Sequence, residues 1–189
     1  MKTLNQYIQE KLIINKDYND NTIVVKSFDE LRKIIEYRYD KLGPGTKRNP
    51  IDFNDIDVSN LDSFCNDKGI GIFEGTYFKH IDISYWDVSN VKSMRSMFFE
   101  CDKLESVGNL SYWDVSNVTN MNSMFYHCKK FNQDISSWDV SSVTNMSYMF
   151  TLCISFNQDL SGWNVPKVKF KTCIFLNCPI KEEYKPKFK

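Results

Sequence analysis

Four cysteines, Cys101, Cys128, Cys153 and Cys178, recur 27, 25 and 25 residues apart, and thiols repeated in this way can cross-link, ligate a metal or simply pack. If the segments that carry them stack in parallel, neighbouring thiols lie about 5 Å apart, within reach of a disulfide. Buried free cysteine also behaves as a small hydrophobe. A chain that opens without a secretory leader belongs in a reducing compartment, so a reduced column is the expectation. Zinc fits poorly: there is no Cys-x-x-Cys pair, His80 and His127 are the only histidines, and Cys65 and Cys173 stand at unhelpful spacings.

Carboxylates recur as well. Asp87, Asp114 and Asp139 form one column, and Asp82, Asp134 and Asp159, with Asn109 in the same place, form another. A ladder of carboxylates suggests calcium, but the glycine-rich nonapeptide that binds calcium between coils is missing. Asx turns to the backbone two residues on explain these positions more simply. With two histidines, no glycine-rich phosphate loop and no nucleophile elbow, no spacing demands catalysis. The expectation is a non-enzymatic protein with no cofactor and no metal.

What positions these residues is a repeat. Trp86, Trp113, Trp138 and Trp163 keep the same 27, 25 and 25 steps, the period of a chain built from stacked short units. Three copies read DISYWDVSNVKSMRSMFFEC from Asp82, NLSYWDVSNVTNMNSMFYHC from Asn109 and DISSWDVSSVTNMSYMFTLC from Asp134. A fourth, DLSGWNVPKVKFKTCIFLNC from Asp159, carries Pro166 and puts Lys171 where the others have Met94, Met121 and Met146, as a terminal copy would. Upstream, IDFNDIDVSNLDSF from Ile51 is a degenerate first copy in which Ile72 and Phe73 stand where Met97 and Phe98 stand. The longer first step places a two-residue insertion between Leu104 and Asn109.

Within a copy, Val118, Met121, Met124, Phe125 and Cys128 fall on one face of a short helix, with Ser116 as its N-cap. Asp134 to Val140 is too short for a helix and reads as a strand. Each unit is then expected to run strand, turn, short helix, return loop.

At this point the residues carry a family likeness. The string W-D-V-S-x-V-x-x-M-x-x-M-F-x-x-C, followed by F-N-Q-D-I-S (Phe131 to Ser136) or F-N-Q-D-L-S (Phe156 to Ser161), resembles the BspA-like leucine-rich repeats, including the form first grouped as a repeat of mycoplasma surface lipoproteins. The likeness covers roughly Ile51 to Cys178. It implies a right-handed leucine-rich-repeat-like solenoid of about five strand-plus-short-helix coils, used for protein contacts, often on bacterial surfaces, with no enzymatic activity. The expected fold class is accordingly α/β, with an α/β N-terminal cap over residues 1–50, the solenoid over 51–178 and a basic C-terminal tail over 179–189.

In the first fifty residues, Leu4, Ile8 and Leu12 mark one helix and Thr22 to Val25 a strand. Ser27 opens a second helix with a capping box to Glu30, which Gly43 and Pro44 stop. Formal charge is +3 over residues 1–50, −5 over 51–178 and +2 over 179–189. A mildly acidic repeat region argues against nucleic acid as partner. There is no apolar run long enough for a membrane span. The opening residues lack the uninterrupted apolar stretch of a leader. The expected location is the cytoplasm of a bacterial or phage-infected cell, or a virion, with the cell surface only if a leader has been removed.

A protein partner is the expected ligand. Columns that vary between copies are free to encode recognition, and the residue before each tryptophan runs Tyr85, Tyr112, Ser137, Gly162. A second varying column runs Phe99, Tyr126, Thr151, Leu176. Tyrosine joins apolar area to a polar tip, so Tyr85, Tyr112, Ser137, Phe99 and Tyr126 are the candidate contact residues. The rival reading is a structural or assembly component of a virion or bacterial surface layer, with oligomeric state left open.

Overall fold

The computed structural model describes residues 22–188. The helix expected on Leu4, Ile8 and Leu12 lies outside the described residues. Strand β1 (Ile23–Val24) leads into helix α1 (Phe28–Leu42), and β2 (Ile51–Asp52), β3 (Ile56–Asp57) and β4 (Ile81–Asp82) follow. β1 pairs in parallel with β3, and β2 in parallel with β4. Helix α1 begins where Ser27 accepts the Glu30 N–H and ends where Gly43, at φ 74°, returns its own N–H to Tyr39. Its Leu31, Ile34 and Ile35 are buried. Beyond β4, the regular structure among the described residues is confined to two 3₁₀ turns, Leu110–Tyr112 and Glu182–Tyr184.

The expected leucine-rich-repeat-like solenoid of strand-plus-short-helix coils is therefore not what this chain forms. No helix occupies Val118 to Cys128, and no strand occupies Asp134 to Val140. In place of a helix stand two consecutive four-residue turns, closed by Met124 N–H to Met121 carbonyl at 3.2 Å and Cys128 N–H to Phe125 carbonyl at 3.0 Å. The third residue of each turn is left-handed, Ser123 at φ 55° and His127 at φ 61°. The same pair of positions is left-handed in the other copies: Ser96 and Glu100, Tyr148 and Leu152, Cys173 and Asn177. A positive φ every fourth residue cannot belong to a right-handed helix. Turns also explain the apolar spacing, because the first and fourth residues of each turn face the core together. Ile135 and Trp138, in the segment expected as a strand, close another four-residue turn at 3.2 Å, this one without a left-handed residue. Ser116 is no N-cap; its N–H donates to Asp114 Oδ1 at 3.0 Å.

Alternate amides of these segments reach the next copy. Met94, Ser96, Phe98 and Glu100 donate to the carbonyls of Asn120, Asn122, Met124 and Tyr126 at 2.8–3.0 Å. Met121, Ser123, Phe125 and His127 donate onward to Asn145, Ser147, Met149 and Thr151, and Met146, Tyr148, Phe150 and Leu152 to Phe170, Thr172, Ile174 and Leu176, over the same distances. Single parallel bridges run Ser63, Ser93, Asn120, Asn145, Phe170. Successive copies thus lie one on another, each donating forward through four amides, while Lys92, Thr119, Thr144 and Lys169 donate back to the carbonyls of Asp62, Lys92, Thr119 and Thr144. At the two-residue insertion Gln133 stitches the backbone, accepting from Val107 N–H and donating to the Gly108 carbonyl.

Side chains follow the backbone into columns. Phe73, Phe98, Phe125, Phe150 and Phe175 stack with ring centres 5.4–5.7 Å apart. That exceeds the 4.7–4.9 Å between parallel chains, as offset rings must. Each of these that is fully buried contributes on the order of 1.5–3 kcal/mol by leaving water. At the head of the column, the carbonyls of Ile72 and Glu74 occupy the places that accept from a preceding copy elsewhere. Here the Arg32 guanidinium of α1 donates to them, at 2.8 Å and 3.3 Å, and to Gly71 at 3.1 Å.

Gly75, at φ 67°, shares the left-handed column with Glu100 and has open space around a would-be Cβ. Gly75→Ala is expected to lower unfolding free energy by about 1 kcal/mol, and Glu100→Gly to raise it by about 0.5–1 kcal/mol, purely through the backbone. Urea titration of both variants checks the opposite signs.

Candidate interaction surface

Two buried columns fix the frame on which any site must sit. The indole N–H of Trp86 donates to the Phe53 carbonyl at 2.9 Å, that of Trp113 to Ile83 at 3.1 Å, that of Trp138 to Leu110 at 3.0 Å and that of Trp163 to Ile135 at 3.2 Å. Each acceptor also closes a turn within its own copy, so both lone pairs are used. The cysteines repeat the device. Cys101 Sγ donates to the Phe73 carbonyl at 2.9 Å, Cys128 to Phe98 at 2.9 Å and Cys153 to Phe125 at 2.8 Å. All six cysteines are free thiols. Burial pushes the Cys101 thiol up to about 12, against a smaller downward pull from Thr76. Burial likewise raises Cys128, Cys153 and Cys178. A proton on sulfur is what the column needs, since only the thiol donates.

The repeated carboxylates serve the turns. Asp114, Asp134, Asp139 and Asp159 are each held below the usual carboxylate range by the serine two residues on, through its N–H and hydroxyl. For Asp82 burial acts upward, but Ser84 and Asn54 together outweigh it and the net direction is down. Among the described residues, no three His, Cys, Asp or Glu side chains gather into a group that could hold a metal ion.

Of the residues singled out in the sequence, Tyr85 and Tyr112 come together. Their rings stack at 6.2 Å and 13°, with 76% and 67% of their surface exposed. The backbone beneath is fixed: Asn54 Oδ1 accepts the Tyr85 N–H at 2.8 Å, and Asn109 caps the 3₁₀ turn that carries Tyr112. Ser137 is exposed but extends the row with no ring. Phe99 and Tyr126 stack more closely, 4.7 Å and 8°, and are half-buried. Their column does not continue as a patch, because Thr151 is buried with its hydroxyl on the Cys173 carbonyl, while Leu176 is half exposed. Sequence reasoning missed Arg32 and Gln133, whose partners lie about 40 and 25 residues away and leave no local signal. It also missed the exposed last layer around Phe170, at 60% exposure.

The stacked turns and their repeated columns define a repeat protein. The chain belongs to the family described as Mycoplasma protein of unknown function, DUF285, which matches residues 68–185. No curated protein and no solved structure matches it. Among the described residues, no helix is long and apolar enough to cross a membrane.

Thiol reactivity tests the column. At neutral pH, iodoacetamide is expected to label the exposed Cys173 first and to reach Cys101, Cys128 and Cys153 only on unfolding. A thiol raised from 9.0 to about 12 contributes its full stability below pH 9 and loses it as pH climbs toward 12. The stability difference between wild type and Cys101→Ala should therefore shrink from pH 8 to pH 10 by roughly 1 kcal/mol, measured by urea unfolding.

Proposed function

We propose that the protein is a non-enzymatic interaction module that holds a protein partner on the exposed side of its stacked repeats. The observation that carries this reading is the Tyr85–Tyr112 pair: two large rings, mostly in water, set parallel on a backbone that is itself hydrogen-bonded. Stacked tyrosines offer a flat apolar area at low conformational cost, and each hydroxyl adds a polar tip, the composition found at interface hot spots. Ser137 and Gly162 end the row, so the patch has one edge of aromatic contact and one of small residues. Phe99 and Tyr126 add a second, shallower contact. The likeness of the Trp-Asp-Val-Ser string to BspA-like repeats, which serve protein contacts, supports the same reading.

A structural or assembly role is the second reading, and the repetition of one surface along the stack favours it, since identical faces suit repeated subunit contacts. The two are separated in solution. An interaction module stays monomeric at micromolar concentration in light scattering and captures one defined protein from its native cell. Replacing both tyrosines, Tyr85→Ala with Tyr112→Ala, is expected to weaken that capture by about tenfold or more. The same variant should unfold at the wild-type urea midpoint, because both rings lie outside the core. Unchanged capture would remove the tyrosine pair from the account, and self-association would favour the assembly reading.

A further inference from the structure

We propose that the last layer of the stack, residues 167–177, is a docking edge for an acidic polypeptide segment that adds to it as one more layer. In three successive steps the amides at the column positions of Ser96, Phe98 and Glu100 donate to the carbonyls of the following copy. The equivalent amides of the last copy belong to Cys173, Phe175 and Asn177. Among the described residues, none of these three N–H groups has an acceptor. A row of unpaired amides at the rim of a ladder is a template for another chain.

The tail crosses part of this layer without accepting from the row: Lys185 Nζ lies 5.9 Å from the Phe175 ring centre and Lys171 Nζ 5.7 Å from that of Phe188, which adds a further cation beside the three amides. Residues 179–188 fold back over the side of Leu160, whose N–H donates to the Tyr184 carbonyl at 2.8 Å, and bury Ile180 and Pro186. Phe170 and Leu176 flank the row at 60% and 50% exposure, and Cys173 and Asn177 are exposed.

Charge names the occupant. Ser142 and Thr144 in the third copy become Lys167 and Lys169 in the last, both exposed. Lysines on an edge repel a basic strand and attract an acidic one. A second copy of this chain fits badly in either sense. Its matching carbonyls at Ile72 and Glu74 are already taken by Arg32, and two of these C-terminal edges would set amide against amide and lysine against lysine. The edge lies on the last layer, apart from the Tyr85–Tyr112 pair, so the inference stands without the function proposed above.

The test uses the full chain and a synthetic peptide with the sequence of residues 141–153, changed by Ser142→Glu, Thr144→Glu and Cys153→Ser, so that glutamates face Lys167 and Lys169. Labelled peptide is followed by fluorescence polarisation, and amide exchange of the protein by NMR. Expected are saturable binding and exchange at Cys173, Phe175 and Asn177 slowed by about tenfold or more at saturation. Lys167→Glu with Lys169→Glu in the protein, or lysines in place of the two glutamates in the peptide, should weaken binding by about tenfold or more. Tyr85→Ala with Tyr112→Ala should leave it unchanged. The proposal is overturned by no saturable binding up to about 1 mM or by binding that leaves the three amides exchanging freely. It is equally overturned by tighter binding of an oligothymidylate than of the peptide, or by protection that rises with protein concentration alone, which would make the occupant a second copy.

Discussion

The backbone hydrogen bond between residues about 25 apart is the interaction on which everything else in this protein rests. A unit of this length closes its turns with its own amides, but four N–H groups in each of Met94 to Glu100, Met121 to His127 and Met146 to Leu152 find acceptors only in the following copy. Each such bond contributes roughly 0.5–1.5 kcal/mol net, and leaving a buried one unmade costs more. No copy is therefore satisfied alone. The left-handed residues follow from this demand, since a positive φ at Ser123 and His127 turns alternate amides outward to the neighbour. Tryptophan and cysteine complete the satisfaction: in the copies that end at Cys101, Cys128 and Cys153, one indole N–H and one S–H reach back to carbonyls that the turns leave with a spare lone pair, whereas Cys178 faces the Phe156 carbonyl at 3.5 Å.

Seen in this way, the reduced state of the cysteine column is a packing requirement. A disulfide between neighbours would remove two donors and leave two buried Phe carbonyls with one partner each. Burial holds the thiols protonated, and protonation lets them donate. The phenylalanine column occupies the same layers, so the stacking of Phe98 on Phe125 and of Phe125 on Phe150 is set by the backbone ladder and reinforces it.

The columns of this chain were legible in its sequence; their backbone was not. Trp, Met, Phe and Cys at a fixed period name the core residues, and Ser27 and Gly43 mark the ends of α1 in plain view. The short helix was misread because turns and helices share the i, i+3 relation. The spacing itself carries no trace that separates the two: Met121, Met124, Phe125 and Cys128 stand at i, i+3, i+4 and i+7, the pattern of one helical face. Left-handed positions filled by Ser, His, Tyr and Leu in place of glycine hid the turns further. Of the candidate site, the Tyr85–Tyr112 pair was visible because one column varies beside an invariant tryptophan. The burial of Thr151 was not, since it depends on a carbonyl in the next copy.

The central claim is that amides in the Met-x-Ser-x-Phe-x-x segment of the second copy bond to the third copy and not within a helix. Scalar coupling across hydrogen bonds, measured by NMR on the deuterated full chain, reads this directly. The account predicts couplings from Ser123 nitrogen to Ser147 carbonyl carbon and from Phe125 nitrogen to Met149 carbonyl carbon. Coupling from Phe125 nitrogen to Met121 carbonyl carbon, the signature of a helical turn, would contradict it.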